Sequence, residues 1–153
     1  MRIHLTQLAA IAALCFAAPA WAQGEGAIEV QQPWARASIM ASRPAAAYFT
    51  LVNRGDQAHT LVGLESPIAD RAEVHQTVKK GDVMKMAPAG PVEVPAGGEV
   101  RLEPGGLHVM LMDLERPVRQ GETIELTLRF ANAPSLDVSV PVMGPGAKGP
   151  ENE

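Results

Sequence analysis

Between residues 122 and 130, Ile124, Leu126, Leu128 and Phe130 alternate with Thr123, Glu125, Thr127 and Arg129. Successive side chains on a β-strand point to opposite faces, so period two marks a strand with one face buried and one in water. Wound as a helix, the same residues would scatter their apolar groups around the axis. Shorter runs of the same kind occupy residues 28–30, 46–52, 60–64, 73–78, 83–86, 99–102, 107–111 and 136–140. Turn formers separate them: Asn53-Arg54-Gly55-Asp56, Lys80-Gly81-Asp82, Pro95-Ala96-Gly97-Gly98, Pro104-Gly105-Gly106 and Gln120-Gly121. Many short strands with turn signals at this spacing indicate an antiparallel sandwich or barrel. No sustained helical period and no internal repeat occur downstream of the first two dozen residues.

The N-terminus reads differently. Arg2 precedes an apolar run at residues 8–18, too short to cross a bilayer as a helix, and Ala20-Trp21-Ala22 offers small residues where a signal peptidase reads. Residues 1–22 are therefore predicted to be a cleaved signal peptide, with Gln23 as the mature N-terminus in the periplasm and no membrane insertion afterwards. Lipidation at Cys15 is the weaker reading, because Leu14 is bulky where a small residue is expected. Residues 23–143 then form one domain, long enough for a modest core without staples. From residue 144 the chain turns to Gly, Pro, Lys and Glu, and residues 144–153 are predicted to be a disordered tail.

The only cysteine, Cys15, leaves with the signal, so the mature chain has neither a disulfide nor a thiolate. The net charge is −4, and the longest run of adjacent cations is Lys79-Lys80, which argues against nucleic acid or anionic membrane as a partner. Glycine-rich phosphate loops, a G-x-S-x-G elbow and H-E-x-x-H are missing, and no pair of carboxylates suggests acid–base catalysis. No enzyme activity is expected.

Histidine and methionine are where chemistry concentrates. Alternation in residues 107–112 sets His108, Met110 and Met112 on one face and Leu107, Val109 and Leu111 on the other. Met84 and Met86 likewise share a face, and the turn at residues 80–82 folds that strand back along the one carrying His75. Imidazole with thioether is a soft, neutral donor set that suits Cu(I) and suits Mg²⁺ or Ca²⁺ poorly. A blue-copper electron-transfer site needs a thiolate, so that route is closed. From the residues alone the same methionines also fit as adaptable core packing.

Ten residues separate His75 from Met86, twenty-one separate Met86 from His108, and one separates His108 from Met110. With Pro33-Trp34-Ala35-Arg36-Ala37, Ala46-Ala47-Tyr48-Phe49-Thr50-Leu51, Met84-Lys85-Met86 and His108-Val109-Met110-Leu111-Met112, this pattern resembles the periplasmic Cu(A) chaperone family, PCuAC. The likeness runs from about residue 30 to about residue 130. It implies a cupredoxin-like Greek-key β-sandwich holding one Cu(I) per monomer through His75, Met86, His108 and Met110. It also implies delivery of that copper to the Cu(A) centre of cytochrome c oxidase subunit II, alongside a Sco-like thioredoxin-fold protein.

Two departures from the family matter. Thr77 stands where many members carry a methionine, and the C-terminal end offers only Met143 where some members hold a second, Cu(II)-binding cluster. Met84 and Met112 are placed beside the site as packing or auxiliary donors, Met40 in the residue 38–43 loop as incidental or, as the alternative, a guide near its mouth, and His59 on the surface away from any methionine. Trp34 and Tyr48 are expected in the core with Phe49 and Phe130. Copper sequestration for resistance is the first alternative function, and a metal-free protein-interaction sandwich is the second.

Overall fold

The computed structural model describes residues 27–150. The predicted signal peptide, the processing site at Gln23 and tail residues 151–153 lie outside the described residues. Ten strands follow in order: β1 (Ile28–Arg36), β2 (Ala45–Asn53), β3 (His59–Ser66), β4 (Ala69–Lys80), β5 (Val83–Pro88), β6 (Val92–Val94), β7 (Glu99–Leu102), β8 (Leu107–Leu114), β9 (Thr123–Phe130) and β10 (Leu136–Met143). No helix occurs among the described residues.

Hydrogen bonding links β4, β8, β2, β1, β10, β9 and β3 in that order, and a β3–β4 pairing closes the ring. The sandwich is thus a flattened seven-stranded barrel. β5 adds to the outside of β4, β6 to β3, and β7 to the free stretch of β2. Every pairing is antiparallel except β1 with β10, where the two ends of the domain run side by side.

All nine runs legible as alternation fall on strands. β6 is the addition, three residues held between Pro91 and Pro95. β1 runs six residues past the legible stretch by way of a bulge between Gln31 and Trp34, where Gln32 has φ 50°. Pro33 sits in that bulge, one of the few places a strand tolerates a residue without an N–H.

Alternation in β9 buries Ile124, Leu126, Leu128 and Phe130 against Phe49, Leu51, Leu61 and Leu111. Asn53 closes the base of the core. Its Nδ2 donates to Gln57 O and Val94 O at 2.7 and 3.1 Å, and its Oδ1 accepts from Gly55 N at 2.9 Å, so a fully buried amide is satisfied on both sides.

β2 is covered on both faces, which sets it apart from β9. Ala45, Ala47, Phe49 and Leu51 face the core, whereas Tyr48 lies on the outside and is equally buried. Trp34, its cross-strand partner, stacks on it at 4.4 Å between ring centroids. The two aromatics expected in the core are buried, but they stand outside the core cluster, on the face that carries the histidines and methionines.

Beyond Met143 no strand continues among the described residues. Ala147 N donates to Gly144 O at 3.1 Å, and Arg36 Nε donates to Ala147 O at 2.7 Å, drawing the described part of the tail against β1.

Candidate metal centre

Register decides which side chains meet. His75 on β4 is the direct cross-strand partner of His108 on β8, and Glu73 is the partner of Met110. Across the other edge of β4, Thr77 pairs with Met86 of β5. Residues two apart on a strand share a face, so Glu73, His75 and Thr77, His108 and Met110, and Met86 all stand on one side of the sheet. Sequence separations of ten, twenty-one and one residue become neighbouring positions on three adjacent strands.

The two imidazoles have ring centroids 6.3 Å apart. His108 is the deeper, 3% exposed. Its Nδ1 lies 3.0 Å from Gly106 O. A carbonyl can only accept, so Nδ1 carries the proton and Nε2 of the neutral ring keeps a lone pair. That Nε2 is buried with no hydrogen-bond partner. An unpaired buried acceptor costs about 1–3 kcal/mol, which a metal or a polar ligand would offset. Fixing a ligating imidazole through its other nitrogen is the usual arrangement around metals.

His108, Met110 and Met86 line one cavity of about 280 Å³, together with Tyr48, Thr77 and Pro145. His75 does not line it but borders it through the pairing with His108. Met86 is 62% exposed and Met110 half-buried, so the cavity is walled by protein on the β8 side and open along β5.

Tyr48 and Arg36 also line this cavity, with Trp34 stacked on Tyr48. Tyr48 lies 6.5 Å from the His108 ring, and the Arg36 guanidinium lies 5.4 Å from the Tyr48 ring and 5.8 Å from that of Trp34. Burial pushes the Tyr48 phenol above its ordinary range, with the nearby Arg36 charge opposing, so the phenol stays neutral at physiological pH.

Glu73 is a neighbour that the spacing argument passed over. Its Oε2 lies 3.3 Å from His75 Nε2, leaving Nδ1 as the free position of that ring when Nε2 donates. The signal was present, since Glu73 stands two residues before His75 in an alternating run. Met112, opposite Arg71, and Met84, opposite Lys79, sit further along the same face. Met40 is exposed in the loop between Ala37 and Pro44, which both line the cavity. His59 stands elsewhere, on β3 opposite Val94, with no methionine on β3 or β6. Its Nδ1 is also buried without a partner, but no second soft donor accompanies it. No group of three or more His, Cys, Asp and Glu side chains fit for a metal occurs among the described residues, so any ion here depends on the thioethers.

Comparison with known proteins adds to this geometry. A family model described as "Putative lipoprotein LpqE-like" matches residues 28–142. "Putative lipoprotein Lxx21020" of Leifsonia xyli subsp. xyli is 36% identical over 130 residues, covering 81% of this chain and 76% of its own length. Among solved structures, the copper-bound PCuAC domain from PmoF2 is 27% identical with a TM-score of 0.65, over 78% of this chain and 95% of that one. The solution structure of Cu(I)-bound DR1885 from Deinococcus radiodurans is 37% identical with a TM-score of 0.57, over 79% and 83%.

Proposed function

This chain belongs to the PCuAC family and has its all-β, cupredoxin-like, copper-binding fold, and from that premise we propose that it carries one Cu(I) through His75, Met86, His108 and Met110 and passes it to a protein acceptor. The observation that carries the reading is the orphaned, buried Nε2 of His108, a residue that lines one cavity with Met86 and Met110. Two neutral imidazoles and two thioethers satisfy a soft monovalent ion without any thiolate, and they leave it held less tightly than thiolates would. An acceptor cysteine can enter from the open β5 side while Met86 leaves, so free copper need never form. Binding and exchange, not catalysis, is the task this donor set suits.

The acceptor proposed is the Cu(A) site of cytochrome c oxidase subunit II, alongside a Sco-like thioredoxin-fold protein. Copper-loaded protein mixed with the reduced, copper-free subunit II domain is expected to metallate it, and His108→Ala is expected to abolish the transfer. Retention of copper in the presence of that acceptor and a Sco-like partner would favour sequestration instead.

Relatives named as lipoproteins support an exported, cell-envelope location. They also lend weight to lipid attachment at Cys15 as an alternative to cleavage before Gln23. The intact mass of the envelope-extracted protein separates the two.

A further inference from the structure

The β4–β5 hairpin outgrows the barrel. Pairing between β4 and β8 ends at Gln76–Leu107, with a last hydrogen bond from Thr77 N to Gly106 O. From Val78 onward β4 has only β5 beside it, so residues 78–85 form a free two-stranded ribbon exposed on both faces. A two-residue loop closes it, with Gly81 at φ 64° in the position of a tight hairpin turn that favours glycine.

Such a ribbon would ordinarily be polar. This one exposes Val78, Val83 and Met84 at 42%, 56% and 59%, next to the exposed ligand candidate Met86. Across the mouth of the cavity, the loop joining Ala37 to Pro44 exposes Ile39 at 74% and Met40 at 43%. Lys79, Lys80 and Lys85 surround the first apolar group and Arg43 adjoins the second, against the single carboxylate Asp82. None of these four cations takes part in an ion pair among the described residues. A cationic rim on a chain of net charge −4 is a local reversal of the overall field. Apolar side chains at the centre with unpaired charge at the rim is the composition of a transient protein interface.

We propose that the β4–β5 ribbon and the residue 38–43 loop dock the copper-exchange partner, and that this partner presents an apolar patch rimmed by Asp and Glu. Docking there covers the open side of the cavity and sets the partner's ligands against Met86, the one exposed member of the proposed set. The proposal rests on the copper-transfer reading and adds to it the surface used and the charge of the surface it meets.

Stopped-flow transfer of Cu(I) from the full mature protein to the reduced subunit II domain tests it. The wild type is compared with a Lys79→Glu/Lys80→Glu/Lys85→Glu variant and with the milder Lys→Gln triple variant, at low and high salt. Cu(I) affinity, from competition with a chromogenic chelator, and the unfolding midpoint should match wild type in both variants. The expected result is transfer slowed about tenfold or more by charge reversal, slowed less by neutralisation, and slowed by salt in the wild type. Amide resonances of residues 38–43 and 78–86 should shift on adding the acceptor. Transfer that proceeds at the same rate in every variant and at every salt concentration would overturn the docking surface and leave the carrier reading standing. No association and no transfer by any variant would overturn both.

Discussion

His108 and His59 each bury a ring nitrogen without a hydrogen-bond partner, yet only one of them has thioethers for neighbours. That contrast is a test. His108→Ala and His75→Ala should each lower Cu(I) affinity by more than tenfold in an anaerobic titration, because the remaining thioethers are fewer and weaker donors. His59→Ala and Met84→Leu should leave it within about twofold. Equal losses from His59→Ala and His75→Ala would show the ligand assignment to be wrong. Alternation gave the shared faces of His108 with Met110 and of Met84 with Met86. The set of positions 75, 86, 108 and 110 was implied by the family resemblance, because the β4–β8 pairing that puts His75 beside His108 has no local signal. Glu73, Arg36 and the Trp34–Tyr48 stack were not picked out. Glu73 was within reach, two residues before His75, whereas the place of Arg36 and of the Trp34–Tyr48 stack depends on which face of β1 and β2 they take, and on a bulge at Gln32 that shifts β1 by a residue.

At the scale of elements, alternation and turn spacing located nine of the ten strands. The pattern is cleanest in β9 and β10, which have one wet and one dry face, whereas β2 is covered on both and β5 exposed on both. β6 escaped because three residues between prolines carry too short a pattern, and the closing β3–β4 pairing has no local signal at all. The outer face of β9 is tied to β3 by a bidentate pair, Arg129 Nε and Nη2 donating to Glu65 Oε1 and Oε2 at 2.9 and 2.8 Å. The guanidinium holds the Glu65 carboxyl below the ordinary carboxylate range. A carboxyl depressed in the folded state adds stability above the unfolded chain's carboxyl range and loses it as pH falls through the lowered value. Both groups are exposed, so the effect is small and screened by salt. Arg129→Gln should therefore lower the unfolding midpoint slightly at neutral pH and low salt. The difference should disappear in strong acid or high salt, as thermal scans across pH would show.

As a whole molecule, the protein is a seven-stranded barrel with the proposed soft donors gathered on one outer face. A ligand that binds only the folded state stabilises it, by about 2.7 kcal/mol at a hundredfold excess over Kd. Cu(I) should raise the melting temperature measurably, whereas Mg²⁺ and Ca²⁺ should not. Truncation before Gly144 removes Pro145 from the cavity wall and the Arg36–Ala147 hydrogen bond, but no thioether or imidazole. Stoichiometry should stay at one copper, and the shift should persist. The mixed donor set is read most directly by X-ray absorption at the copper edge of the one-to-one Cu(I) complex. The proposed donor set requires nitrogen and sulfur together in the first shell, with sulfur reduced by Met86→Leu or Met110→Leu and nitrogen reduced by His108→Ala. A first shell without sulfur, or one that neither methionine substitution changes, would contradict it.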